Sequence, residues 1–295
     1  MSEKTFFIVD VFAEEKYAGN QLAVFMNGHL YSDAEMQQIA KEMNYSEVTF
    51  YFPEESNDDS CKVRIFTPKE EIPFAGHPTL GTAYVLLQEW LQKPLPTLYL
   101  DLPVGKIPVN VEYELGKIKL LTMRQNQPEF GKILPGEEVA QALGLTPSDL
   151  DGRFPVQIVS TGLPFIIVPL KSLAAVRSIQ LNMPLYRQLI AHLPAKDILV
   201  FCPETYYSGN DLNVRVFVDS LGIPEDPATG SANGCLTGYL VKYNYFNSPT
   251  FNIKVEQGFE IGRKSLLYLK GEKHQESIII EVGGHVIPVA KGTLV

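Results

Sequence analysis

Cysteine is scarce in this chain of 295 residues, which holds only Cys61, Cys202 and Cys235. An odd number, widely spaced and without a CxxC pair, leaves neither a disulfide framework nor a zinc pattern and fits a reducing compartment. Positive charge is in deficit. Lys and Arg number 25 against 34 Asp and Glu, for a net charge of -9. That balance argues against a broad nucleic-acid face and against a polybasic membrane anchor. No apolar run approaches the length needed to span a bilayer. The N-terminal run FFIVDVF is short and interrupted by Asp10, unlike a secretory signal, so the cytoplasm is the expected location. No GxGxxG follows a strand-like segment and no phosphate-binding P-loop motif occurs, so dinucleotide and P-loop binding find no support. No metal and no cofactor are expected.

What is present is an ordinary globular composition, 45% apolar and 20% charged, with length for one large domain or two modest ones. TFFIVDVF and LAVF read as strands around a turn at Gly19-Asn20. Ser32 with Glu35 makes a capping box, and Met36, Ile39, Ala40 and Met43 recur at helical spacing, which predicts a helix over 33–43. SEVTFYF, CKVRIFTP, TLYLDL, GKIPVNVEY and KIKLLTMRQ read as strands. PGEEVAQALGL and MPLYRQLIAHL read as helices. FPVQIVSTGLPFIIVPL, DILVFCPE, LNVRVFV, FNIKVEQG and SIIIEVGGHVIPVAKGTLV return to strands. The mixture of sheet with a few isolated helices is not the alternation of a parallel α/β fold.

One pattern occurs twice. VRIFTPKEEIPFAGHPTLGTAYVL begins at Val63, and VRVFVDSLGIPEDPATGSANGCLTGYL begins at Val214. Each has a Val-Arg-apolar-Phe strand, a loop with Ile-Pro, and a Gly followed by His77 or Ser231. Each then enters a run of small and apolar residues, and the second loop is three residues longer. Two lobes of similar architecture follow from such a repeat, and two-lobe proteins tend to place ligands between the lobes. A helix start carries unpaired N–H groups and a partial positive charge. With Gly and small residues in its first turn it can accept a carboxylate or a developing oxyanion. The plainer alternative for each segment alone is a capped, tightly packed helix.

The stretches DVFAEEKYAGNQLAVF, YSEVTF, PFAGHPTLGTA, STGLPF and EDPATGSANG together resemble the phenazine-biosynthesis isomerase (PhzF-like) family, within the diaminopimelate epimerase-like fold. The resemblance covers nearly the whole chain. It implies an α+β fold of two similar lobes, each a mostly antiparallel sheet rolled around a central helix, with the active site in the cleft between them. The lobes are expected at residues 1–125, joined by 286–295, and at 126–285. The resemblance also implies a homodimer.

Residue by residue, the resemblance makes Glu47 the catalytic general acid and base. His77 and Asp226 become polar groups facing it, and Gly76, Gly230 and Ser231 become substrate contacts at the two helix starts. Epimerases and racemases of this shape use a Cys at each of those helix starts, or at one of them with a Ser or Thr partner at the other. Here the starts carry Gly76-His77 and Gly230-Ser231, and Cys235 lies five residues beyond Gly230, so the chain fits the carboxylate branch. A single carboxylate can take a proton from an activated carbon and return it elsewhere in the same conjugated system, if its pKa is raised toward neutrality. Tyr45, Val48 and Phe50 are the expected apolar surroundings of Glu47. Asp10, Gly19 and Asn20 are assigned structural roles. The function that follows is a cofactor-independent isomerase of a small carboxylate-bearing metabolite, with no nucleic-acid or membrane partner. The alternatives are an amino-acid racemase or epimerase and a non-catalytic metabolite-binding protein.

Overall fold

The computed structural model describes residues 4–57, 60–218 and 223–295. The chain divides into two compact units, Met1–Arg124 with Gly283–Val295, and Gln125–Val282.

The first unit holds β1 (Thr5–Val11), β2 (Asn20–Phe25), β3 (Glu47–Asn57), β4 (Ser60–Phe66), β5 (Glu71–Ile72), β6 (Thr97–Leu102), β7 (Gly105–Glu114) and β8 (Lys117–Arg124). The C-terminal strand β18 (Val286–Thr293) joins β1. The ladder runs β18-β1-β2-β3-β4-β6-β7-β8, and only β2–β3 and β4–β6 are parallel. β5 shares the β6 edge of β4, at the other end of the strand.

Helix α1 (Asp33–Met43) occupies the predicted span, and its Ser32–Glu35 capping box is formed. It covers one face of the sheet, where Phe25, Tyr31, Met36, Phe50 and Phe66 make an aromatic-rich cluster. Helix α2 (Gly76–Val85) has no charged residue and is buried along nearly its whole length. It packs against β1, β2, β3, β6, β7, β8 and β18, so the sheet is rolled around it. Gly81 makes this close seating possible, because a Cβ there would lie 2.6 Å from Leu22 and 2.8 Å from Val11.

The second unit holds β9 (Glu129–Ile133), β10 (Gln157–Ser160), β11 (Pro164–Pro169), β12 (Asp197–Cys202), β13 (Leu212–Val218), β14 (Ile223–Asp226), β15 (Thr250–Gln257), β16 (Ser265–His274) and all but the last two residues of β17 (Ser277–Gly284). Helices α3 (Gly136–Ala142), α4 (Leu173–Ser178) and α5 (Met183–Ile190) share an apolar cluster with β10 to β13. The buried helix α6 (Gly230–Lys242) packs against β10, β11 and β16. Sequence periodicity misses α4, which is too short to show it. It misses β9, which is mostly exposed and does not alternate. It also misses β16, although Leu267 and Leu269 alternate there as buried positions.

The repeat is real at the level of hydrogen-bonded ladders. β10–β11 is antiparallel like β1–β2, and β11–β12 is parallel like β2–β3. β12–β13, β13–β14, β13–β15 and β15–β16 reproduce β3–β4, β4–β5, β4–β6 and β6–β7. One detail corrects the sequence alignment, which matched Ile72-Pro73 with Ile223-Pro224. Ile65 pairs with Ile72, and the equivalent Val216 pairs with Asp226. Glu71-Ile72-Pro73 therefore corresponds to Glu225-Asp226-Pro227. The three extra residues of the second copy fall before Glu225, in the segment 218–224, of which 219–222 lie outside the described residues.

Candidate active site

Glu47 opens β3, in parallel register with Leu22 of β2. Side chains alternate along a strand, so Glu47 and Thr49 share the face that meets α2. Thr49 Oγ1 lies 2.8 Å from Thr82 Oγ1 of that helix. Near the start of α2, His77 Nε2 lies 3.5 Å from Glu47 Oε2. Both side chains are buried, at 8% exposure for Glu47 and 5% for His77. The same alternation overturns one expectation. Val48 and Phe50 point the other way, into the aromatic cluster under α1, and Tyr45 packs there too.

His77 Nε2 is also 3.3 Å from the carbonyl of Gln21. A carbonyl can only accept, so Nε2 carries the hydrogen. Burial pushes the imidazole down to about 3, against a smaller upward pull from the Gln21 carbonyl. The ring is therefore neutral at ordinary pH, and its contact with Glu47 is polar rather than an ion pair.

Asp226, Gly230 and Ser231 come together in the second unit. Asp226 ends β14 and accepts, through Oδ2, a hydrogen bond from Thr229 Oγ1. Gly230 and Ser231 open α6, as Gly76 and His77 open α2. The N-cap residues of these two helices are Ala75 and Thr229, and neither gives a side-chain cap. By contrast α1, α4 and α5 are capped by Ser32, Ser172 and Asn182. The two buried central helices thus lack the side-chain capping that the plainer sequence reading offered for them. An uncapped first turn keeps its donors and its dipole available to an anion.

The thiols are placed for packing. All three are free and buried. Burial pushes Cys235 up to about 11 and Cys202 up to about 12, and raises Cys61 as well. Thiols held so far above neutrality are poor thiolate donors. Asp10 is buried and accepts from Tyr17 N at 2.7 Å, and Gly19 turns the chain at a φ of 64°. Among the described residues no group of three or more His, Cys, Asp or Glu gathers as a metal site, and no helix is long and apolar enough to cross a membrane.

Sequence reasoning missed Gln21, Thr229 and Gln257. Gln257 is completely buried at the end of β15 and holds the loop before α6. Its signal was a polar residue at an inward strand position, which needs partners.

The family model described as phenazine biosynthesis-like protein (PhzC-PhzF) matches residues 9–292. An uncharacterized isomerase of Clostridium acetobutylicum is 32% identical, over 97% of this chain and 96% of its own. Trans-2,3-dihydro-3-hydroxyanthranilate isomerase of Pseudomonas fluorescens is 34% identical, over 98% of both chains. The crystal structure of the Bacillus anthracis phenazine biosynthesis protein, PhzF family, covers 100% of both chains with a TM-score of 0.91 at 28% identity.

Proposed function

The chain belongs to the phenazine biosynthesis-like (PhzC-PhzF) family, and from that premise we propose that this isomerase moves a proton within a small conjugated or cyclic carboxylate, with Glu47 as general acid and base and no cofactor. The observation that carries the reading is the Glu47–His77 pair. A buried carboxyl stands 3.5 Å from an imidazole that burial keeps neutral. The Nε2 hydrogen is directed to the Gln21 carbonyl, so the neutral ring stands beside Glu47 as a polar neighbour and does not lock it in an ion pair.

The steps are balanced by Glu47 alone. Its carboxylate takes a proton from an activated carbon, the C–H electrons spread into the conjugated system, and the new O–H returns the proton at another carbon. His77 orients Glu47, and Asp226 is assigned as a second polar group of the reaction. Gly76, Gly230 and Ser231 are assigned to the substrate, since an uncapped helix start favours a carboxylate. The buried, weakly acidic thiols speak against a two-thiol racemase.

The compound named for the Pseudomonas fluorescens relative, trans-2,3-dihydro-3-hydroxyanthranilate, is the first candidate substrate, followed by a panel of small unsaturated carboxylates. The test is incubation in deuterated water. Deuterium appearing at carbon in the recovered compound, and absent with E47Q, supports the reading. Label entering equally with E47Q rejects Glu47 as the shuttle. A compound that binds without any exchange points to a binding protein.

A further inference from the structure

The loop that opens α6 is held by a polar clamp. Gln257 Oε1 accepts from Thr229 N at 3.2 Å and from Asn233 Nδ2 at 2.9 Å. Gln257 Nε2 donates to the Asp226 carbonyl at 2.9 Å and to Thr229 Oγ1 at 3.0 Å. These contacts fix the amide orientation, because a flipped amide would set its NH2 against two donors. Thr229 Oγ1 thus receives a hydrogen from Gln257 and passes its own to Asp226 Oδ2.

This use of Thr229 is unusual for its position. A Thr at an N-cap ordinarily turns its oxygen onto the first-turn N–H groups. Here the side chain makes no cap and spends its hydroxyl hydrogen on Asp226.

The first unit shows that the fold does not require the clamp. The ladder equivalents of Asp226 and Gln257 are Ile72 and Leu102, and that of Thr229 is the N-cap Ala75. All three polar members are replaced by apolar residues at the same places. Yet α2 starts after the same Gly-containing turn, and Thr79 Oγ1 donates to the Ala75 carbonyl as Asn233 Nδ2 donates to that of Thr229. The bond that shapes the helix start is therefore kept in both units. The bonds that aim a carboxylate are found where Asp226 stands and not where Ile72 takes its place.

We infer that Thr229 and Gln257 are positioning residues, a relay of two hydrogen bonds that sets the rotamer of the Asp226 carboxylate for the reaction. This rests on the reading that Asp226 takes part in that reaction, and the test separates the two.

The first arm needs no substrate. Crystal structures of T229V and T229S are compared. The Asp226 carboxylate leaves its place in T229V and keeps it in T229S, which retains the hydroxyl. An unmoved carboxylate in T229V overturns the inference. The second arm is turnover of trans-2,3-dihydro-3-hydroxyanthranilate. T229V loses about tenfold to a hundredfold in kcat, the scale of a misplaced catalytic group, with KM little changed, and T229S recovers most of it. In a D226N background T229V adds no further loss, because a residue acting through Asp226 has nothing left to act on. An equal loss in both backgrounds overturns the inference. A D226N enzyme as active as the parent rejects the role of Asp226 instead, and the first arm still decides the positioning. Q257E supplies a second variant. Its carboxyl can donate to Thr229 only when protonated, so its kcat falls as pH rises through a new inflection. A pH profile parallel to that of the parent counts against the relay.

Discussion

Arg64 and Arg215 stand at the same ladder position of their two units, and each grips a glutamate through Nε and Nη2. Arg64 reaches Glu71 at 2.8 and 2.7 Å, and Arg215 reaches Glu225 at 2.9 and 2.6 Å. Each guanidinium also lies over the Phe two residues on, at 5.1 Å from Phe66 and 4.9 Å from Phe217. The repeated Val-Arg-apolar-Phe motif is therefore a brace. It ties β4 to β5 and to Asp33 of α1, and β13 to β14 and to the Val176 carbonyl of α4. Each brace leads directly into the loop that opens a central helix.

The two braces differ in burial, which sets the first prediction. The Arg215 and Glu225 side chains are 10% and 6% exposed, against 23% and 35% for Arg64 and Glu71. Removing one partner of a buried pair strands the other charge, at a cost of about 3–5 kcal/mol. A pair screened by water contributes about 1 kcal/mol or less. R215M is expected to lose stability on the first scale and R64M on the second, read by urea unfolding. R215M with E225M should recover much of the loss, since it removes the stranded carboxylate. Equal losses in R215M and R64M would mean that packing on the Phe ring, rather than charge, holds the brace.

Glu47 sets the second prediction. E47Q keeps the shape and can still meet His77, but it cannot accept a proton at neutral pH. Turnover should fall by about two orders of magnitude or more, the range for loss of a general base. Substrate affinity by calorimetry should be retained. Turnover near that of the parent would remove Glu47 from the mechanism.

How much of this was legible in the sequence depended on range. The Ser32–Glu35 box was readable because its partners are three residues apart on one helix turn. The two central helices were readable because each joins a Gly and a polar residue to an uncharged run. The neighbours of Glu47 were misjudged because Val48 and Phe50 are close in sequence but lie across the strand. Its actual neighbour, His77, arrives from another element. The role of Gln257 was hidden for the same reason, since its partner Thr229 lies on a loop 28 residues earlier. The Ile-Pro match misled because local identity outweighed a register that only the ladders reveal.

The third prediction concerns the thiols. A triple Cys→Ser variant should fold and keep most of its turnover, because each sulfur is buried and pushed above the range of a useful thiolate. Some stability should be lost, since a hydroxyl is costlier to bury than a thiol. Cys202 and Cys235 already face the carbonyls of Glu204 and Leu163, which can accept from Ser. Loss of turnover in a folded variant would return a thiol mechanism to contention.

The fourth prediction follows from the buried ring of His77. Burial holds its pKa near 3 in the folded chain, against 6.5 as the ordinary value. Between those values the unfolded chain binds a proton that the folded chain does not. Stability therefore rises with pH across this window, and the contribution is intact above 6.5 and lost as the pH falls below it. The slope for one proton is about 1.4 kcal/mol per pH unit. H77N keeps a donor near the Gln21 carbonyl and Glu47 but does not titrate. Urea unfolding of the parent and H77N at pH 4.5, 5.5, 6.5 and 7.5 isolates the effect, because carboxylates remote from the ring cancel in the difference. Glu47, which touches the ring, is controlled by repeating the pair in an E47Q background. The parent should lose stability relative to H77N below pH 6.5 and run parallel to it above. A constant difference at all four pH values would mean that the folded ring takes up its proton as readily as the unfolded one, and that His77 meets Glu47 as a true ion pair.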